Sequence, residues 1–413
     1  MSAETEPEMK SSATVTFQED DASGVTIMNM GPQHPSTHGV LRLILTVDGE
    51  IIVKADPDIG YLHTGIEKTA EVKTYQQALT VTDRMDYLAP LNNNLGYSLA
   101  VEKLLGVTVP ERVDHIRVLL VELQRISSHM VWLGTSGLDA GAMSMFLYCF
   151  QERENILDLF EQVSGVRMMT SYIQPGGLMA DLNPEFLDST AKVLDRLEAK
   201  MGMYYGLLEK NPIWLERTKG VGRLSAQMAR DFCINGPVAR ASGVDWDLRR
   251  DRPYCSYPDY EFKVPLRTTG DAYDRYMVRM EEMEEAIKIC RQALKKITPP
   301  GVGVPYRTDD RKIVPPPKYE IQYSMESLIH HFKLFTQGFA PPPGDVYQGV
   351  EGPRGEVGFH LTSDGSNKPY RMRVRTPSFT NVQLLPELVK GLSLADVVVV
   401  LASIDFVLGD CDR

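Results

Sequence analysis

The sequence contains no CxxC pair, no long apolar run and no long Lys/Arg stretch, and no glutamate follows His34 as a zinc-protease helix would require. Its five cysteines, at 149, 233, 255, 290 and 411, form an odd and scattered set that reads as reduced, mostly buried thiols. Such a set argues against an iron–sulfur cluster or a zinc ion held by this chain alone. The most apolar stretch, Val397 to Ala402, falls far short of the ~20 residues that span a bilayer, so any membrane connection is expected to run through partners. With 44 basic against 55 acidic residues the formal charge is −11, which gives nucleic acid no electrostatic footprint. Residues Met1 to Glu8 are acidic and polar, unlike a secretory signal or an Arg-rich transit peptide, and a cytoplasmic location is expected.

At 413 residues the chain can build a sizeable core and one to three domains. Residues 1–23, rich in Glu, Ser and Thr, are expected to be a flexible tail. Residues 24–68 read as an N-terminal β region, with strands over Val25–Met30, Val40–Val47 and Ile51–Ala55 and a hairpin turn at Asp48-Gly49. Between the first two strands lies Gly31-Pro32-Gln33-His34-Pro35-Ser36-Thr37-His38-Gly39. Its prolines fix φ and push the preceding residues toward extended backbone, and its terminal glycines allow tight turning, so it reads as a rigid loop. The i,i+4 spacing of His34 and His38 would suit a metal on a helix, but Pro35 disrupts that helix. Taken alone, such a loop suits packing and function equally.

Residues 69–300 read as a helical bundle. One helix is expected over 86–105, ended by Gly106, and Pro110 opens the next. There Val113, Ile116, Leu119, Leu120, Leu123, Ile126, Met130 and Leu133 form a core stripe. Glu122, Arg125 and His129 share another face, which is either a solvated charged face or a buried polar network. Gly134 to Gly141 is expected to break the helices, with Asp139 in the break. Residues 142–164 resume as a helix, rich in Met and Phe, whose aromatic positions read as core, and Asn183-Pro184-Glu185 starts another. Residues 211–270 read as an irregular insertion. Tyr276, Met280, Met283, Ile287, Cys290, Leu294 and Ile297 mark a long bundle helix stopped at Pro299-Pro300-Gly301. Residues 301–413 read as a mixed segment, with a short helix at 323–335 and a hairpin of Val357–Thr362 and Tyr370–Arg375. The expected class is α+β, a central long-helix bundle with a small N-terminal β region and a mixed C-terminal segment.

Four stretches in order carry a family resemblance: the 31–39 loop, Tyr61-Leu62-His63-Thr64-Gly65-Ile66-Glu67-Lys68, Asp83-Arg84-Met85-Asp86-Tyr87, and Ser403-Ile404-Asp405-Phe406-Val407-Leu408-Gly409-Asp410. From about Gly24 to Arg413 the chain closely resembles the D-subunit family of respiratory complex I, the proton-pumping NADH:quinone oxidoreductase, a relative of the nickel–iron hydrogenase large subunit. The resemblance implies the hydrogenase-like fold, with Val397–Asp410 returning to meet Asp83–Tyr87. In hydrogenases two cysteine pairs hold the metals; here Asp86 and Ala89 stand at the first pair and Val407 and Asp410 at the second. All four soft ligands are gone, so no metal is expected and the cavity is free for another guest.

That guest, by resemblance, is a quinone, whose reduction needs an apolar slot, donors at its carbonyl oxygens and two protons. The resemblance implies that His38 and Tyr87 bind and protonate the headgroup, that Asp139 orients the histidine and favours its charged form, and that Val407 lines the site. It further implies that no cofactor is bound by this chain, and that electrons arrive from a [4Fe–4S] cluster held by the neighbouring B subunit. Arg84 would face that cluster and help to stabilise its reduced form, the bland alternative being an ion pair with Asp83 or Asp86. Met169 stands where many relatives have a cluster-facing histidine, and Thr64 where the common pattern has arginine. The implied partners are the B, C and I subunits and the membrane H subunit, with this chain peripheral on the cytoplasmic side. The main alternative, a membrane-bound hydrogenase large subunit, is opposed by the missing cysteines.

Overall fold

The computed structural model describes residues 15–20, 25–34, 39–301 and 303–413. Strands β1 (Val15–Asp20), β2 (Val25–Met30), β3 (Arg42–Asp48) and β4 (Ile51–Asp58) form an antiparallel sheet in that order. Leu43, Leu45 and Val47 of β3 are buried while the residues between them are not, the alternation that a sheet with one covered face requires. β1 falls in the stretch expected to be a tail. Its Val-Thr-Phe start favours extended backbone, and it pairs with β2 from Val15–Met30 to Asp20–Val25. β4 runs past Ala55 to Asp58 and includes Pro57, which an edge strand tolerates.

Helices α1 (Ile66–Val72) and α2 (Tyr75–Thr82) lead to α3 (Pro90–Leu105), which starts later than expected. The residue before a proline is pushed out of the helical region, so 86–89 form turns and Pro90 takes the first helical position. Helix α4 (Glu111–Asp139) does not break at Gly134. A Cβ at Gly134 would lie 3.3 Å from the Phe146 backbone and one at Gly137 3.0 Å from Met145 Cβ, so both glycines let α5 (Met143–Ser164) approach closely. The turn comes at Gly141, with φ +91°. Met145 and Cys149 of α5 are buried, but Tyr148, an aromatic position expected in the core, is exposed, as are Met143 and Leu147.

The short strands β5 (Ile173–Gln174) and β6 (Gly177–Leu178) precede α6 (Phe186–Leu208). Asn183 does not cap α6; its amide donates to the Gln162 carbonyl. The 211–270 stretch is more ordered than expected, with α7 (Pro212–Thr218), α8 (Ala226–Asp231), α9 (Gly236–Ala241) and α10 (Leu248–Asp251). Tyr254 and Tyr257 from it pack in the bundle core, while Val238 and Ala239 share a second core with Leu43, Leu45 and Val400. Helix α11 (Ala272–Lys296) lies against α4, and the Asp271 carboxylate caps it by accepting from Asp274 N at 2.8 Å.

The expected helix at 323–335 is two, α12 (Lys318–Tyr323) and α13 (Met325–Thr336), divided at Ser324, whose hydroxyl caps the second. Strands β7 (Gly344–Gly352), β8 (Gly355–Ser363) and β9 (Arg371–Arg375) form an antiparallel sheet. The β8–β9 hairpin was legible, whereas β7, with three glycines and no apolar run, was not. Helices α14 (Pro377–Gln383), α15 (Leu385–Val389), α16 (Leu394–Ile404) and α17 (Leu408–Asp412) complete the chain. Among the described residues no helix is long and apolar enough to cross a membrane.

Helix α3 rests on the β7–β8 hairpin at Gly96, where a Cβ would stand 2.9 Å from Phe359 and 3.1 Å from Val350. Gly96→Val is therefore expected to lower stability by roughly 1–3 kcal/mol through overpacking. Gly202→Ala in α6, with open space around it, should raise stability by about 0.5–1 kcal/mol. Thermal unfolding of the two variants, followed in the assembled protein, checks the opposite signs.

Candidate active site

The turn between α2 and α3 is held from both sides. The Asp83 carboxylate accepts from Asn94 Nδ2 at 2.6 Å and Ser171 Oγ at 2.5 Å. The Asn93 amide donates to the Thr82 and Asp86 carbonyls at 3.0 and 3.2 Å. Asp86 is buried, Ala89 is buried, and Tyr87 is half-buried, with its hydroxyl pKa pushed up by burial.

The C-terminal turn packs onto this one. Asp405 ends α16 with φ +50°, a left-handed conformation that aspartate tolerates. Val407 follows, buried, its N–H donating to Ser378 Oγ at 3.2 Å, while Ser378 N donates to Asp410 at 3.1 Å. A Cβ at Gly409 would stand 2.5 Å from the Met85 carbonyl oxygen and 3.2 Å from the Tyr87 ring. Only glycine permits that approach, and it brings Val407 and Asp410 up to Asp86 and Tyr87.

The junction is tied by a residue that sequence reasoning did not single out. Arg354, fully buried in the β7–β8 turn, donates to Asp86 at 2.7 Å, Ser128 Oγ at 3.1 Å and Asp405 at 3.2 Å. Its signal is Gly352-Pro353-Arg354-Gly355, but an arginine in such a turn reads as exposed unless the strand before it is recognised. Burial raises the Asp86 pKa against the pull of Arg354. Burial, reinforced by the charge of Asp86, pushes Asp410 up to about 7.

Glu122, Arg125 and His129 belong to a buried network, not a solvated face. Arg125 donates to Glu122 at 3.1 Å and to the carbonyls of Glu351 and Gly352 at 2.7 and 3.0 Å, which fastens the Arg354 turn to α4. Arg240, from the 211–270 stretch, reaches Glu282 and Glu351, each at 2.7 Å, and His129 meets Glu282 at 3.0 Å. Burial raises the Glu282 pKa, but Arg240 and His129 outweigh it and hold the carboxyl ionised.

His38 lies outside the described residues. The ends of its loop are placed: His34 and Gly39 form an antiparallel bridge, and a Cβ at Gly39 would meet Leu408 at 2.9 Å. Gly39 thus lies beside the Val407–Asp410 turn. Asp139 is half-buried at the last residue of α4, and Trp132 of that helix donates to the Ala402 carbonyl of α16 at 2.7 Å. Arg84 is exposed and donates to the Thr80 carbonyl. Among the described residues no ion pair of Arg84 with Asp83 or Asp86 is formed, though its charge acts on the neighbouring Asp83. Met169, partly buried, lies on the loop that Ser171 ties to Asp83, which puts Arg84 and Met169 on adjoining segments. Thr64 is exposed beside His63, whose Nδ1 lies 2.7 Å from the Asp412 carbonyl.

Removing the Arg354 charge leaves buried carboxylates without their counter-ion, a change that typically costs about 3–5 kcal/mol. Arg354→Met is therefore expected to lose assembly or lower the melting temperature steeply. An unchanged melting temperature would show that the junction does not depend on this cation.

Fold and site together define an α+β helix-bundle protein whose C-terminal turn closes a buried acidic junction. The family model described as respiratory-chain NADH dehydrogenase, 49 Kd subunit, matches residues 139–413. The first of the D subunits of NADH-quinone oxidoreductase in Roseiflexus castenholzii is 59% identical over 387 residues, covering 94% of this chain and 93% of that protein. The D subunit of the NADH-quinone oxidoreductase of Geotalea uraniireducens is 54% identical over 389 residues, covering 94% and 99%. The chain belongs to this family of NADH dehydrogenase subunits, and is a subunit of the complex I assembly, the NADH:quinone oxidoreductase enzyme.

Proposed function

We propose that the junction of the Asp83–Ala89 turn, the Val407–Asp410 turn and the His34–Gly39 loop is where the quinone headgroup is reduced. The observation that carries this reading is the convergence of Tyr87, Val407 and the Gly39 end of the loop on Leu408 and Gly409. Val407 and Ala89 supply apolar walls for a ring, and the Tyr87 hydroxyl supplies a donor. His38 takes the second carbonyl. Two electrons and two protons convert quinone to quinol, and the O–H of Tyr87 and the N–H of His38 deliver the protons. Asp139 sits at the negative end of the α4 dipole, where a carboxylate gains from an adjacent cation. A protonated His38 provides one.

Electrons come from a [4Fe–4S] cluster held by the B subunit, docked against the surface that carries Arg84 and Met169. The fold is that of a nickel–iron hydrogenase large subunit whose metal site has been vacated. The chain sits peripherally on the cytoplasmic side of the membrane, among the B, C and I subunits and the membrane H subunit. Exposed apolar side chains support burial by partners: Met143 and Leu147 on α5, and Met325, Phe332 and Phe335 on α13.

Tyr87→Phe keeps the ring and removes the hydroxyl, so quinone reductase activity should fall about tenfold or more, the equivalent of roughly 1–3 kcal/mol for a buried ligand hydrogen bond. His38→Ala should be at least as harmful. Full activity of both variants with several quinones would sink the assignment. Met169 has no titratable proton, so the potential of the facing cluster should vary little over about pH 6–8, and Met169→His should introduce a slope. Redox titration followed by electron paramagnetic resonance reads both; a steep slope in the unmodified protein contradicts the placement.

A further inference from the structure

Among the described residues the junction carries more negative charge than its cations cancel. Asp86, Asp405 and Asp410 are all buried within it. Two guanidiniums face them. Arg354 bonds Asp86 and Asp405 directly. Arg279 of α11 faces Asp405, donates to the Ser403 carbonyl at 2.7 Å, and lies 4.5 Å over the Trp132 ring. Arg279 is shared with Glu282, so among the described residues three carboxyls face at most two guanidiniums.

Among the described residues, the remaining neighbours of Asp86 and Asp410 add no positive charge. Ser128 and Ser378 are neutral donors. Burial pushes the Cys411 thiol up to about 12, which keeps it protonated. Asp412 is engaged by the Gly60 and Leu62 N–H groups, and Arg413 by Glu67 at 3.2 Å. Asp410 Oδ2 accepts from Ser378 N, while its buried Oδ1 has no hydrogen-bond partner among the described residues. A buried carboxylate without a cation or a full set of donors takes up a proton. When two carboxyls share such a site, one proton is held between them.

We propose that Asp86 and Asp410 hold one proton in common in the resting protein and form a reservoir that restores Tyr87 after it has protonated the quinone. This rests on the reading of the junction as the quinone site. Asp410 is linked to Val407 through Ser378, Asp86 adjoins Tyr87 in the chain, and the missing Cβ of Gly409 lets the Asp410 turn approach the Met85 carbonyl and the Tyr87 ring. The step balances. The tyrosinate left by quinol formation takes the carboxylic proton, the pair becomes fully ionised, and water restores it after quinol leaves. Carboxylates at these positions therefore do more than displace a metal. They store a proton where thiolates would have bound a cation.

The test uses the whole purified complex. Infrared difference spectra between about pH 5 and about pH 9, recorded at rest without quinone, should show a protonated-carboxyl band that disappears as pH rises. It should be present in Tyr87→Phe, absent in Asp410→Asn, and restored in Asp410→Glu. Asp405→Asn removes one of the three negative charges, so its band should disappear at lower pH. In turnover, Asp410→Asn should lower kcat by about tenfold to a hundredfold, within reach of what a positioned proton donor contributes, with KM unchanged and the alkaline fall of kcat abolished. A wild-type protein without the band overturns the shared proton. A band with an unaltered kcat–pH profile in Asp410→Asn overturns the reservoir. Because the band is read without quinone, it stands or falls separately from the quinone assignment, which the Tyr87→Phe and His38→Ala activities decide.

Discussion

The structure depends on the pairing of charge that has been taken out of water. Arg354 draws together segments far apart in sequence: the turn before α3, the end of α16 and, through Ser128, the middle of α4. A buried guanidinium is tolerated only when its donors meet acceptors, and buried carboxylates only when a cation or a proton neutralises them. Each group therefore constrains the others, and the same contacts that close the junction set its proton affinity.

The arrangement extends as a chain of buried ions behind the site. Arg125 and Arg240 tie α4, α9, α11 and β7 together, with Glu282 at the centre of the contact between α4 and α11. An interior of this kind gives less net stability than a hydrocarbon core of equal volume would. Its consequence here is positional. Directional bonds locate the Arg354 turn against α4, and thereby locate Asp86 and Asp405.

Backbone approach is the second constraint. Gly409 allows the C-terminal turn to touch the Met85 carbonyl, and Gly134 and Gly137 allow α5 to lie close along α4. In each case the missing Cβ, not backbone flexibility, is what matters, since these three residues have no left-handed φ. Asp139 reaches the end of an unbroken helix because those two glycines pack instead of bending it.

The long periodic helices, the Asp48-Gly49 and β8–β9 hairpins, the absence of metal-ligand cysteines, and the motifs carrying Tyr87 and Val407 were legible in the sequence, because periodicity, turn chemistry and motif spacing are local properties. The sequence by itself could not decide whether Glu122, Arg125 and His129 face water or one another, since charge on a helix face looks the same in both cases. Nor could it show that the 211–270 stretch supplies Arg240 and the core tyrosines Tyr254, Tyr257 and Tyr260, or that Arg354 in a Gly-Pro turn is a cation of the buried junction. Those outcomes were decided by tertiary structure, because they depend on which distant carboxylates arrive beside a given guanidinium, and burial makes that pairing obligatory only once the chain has folded.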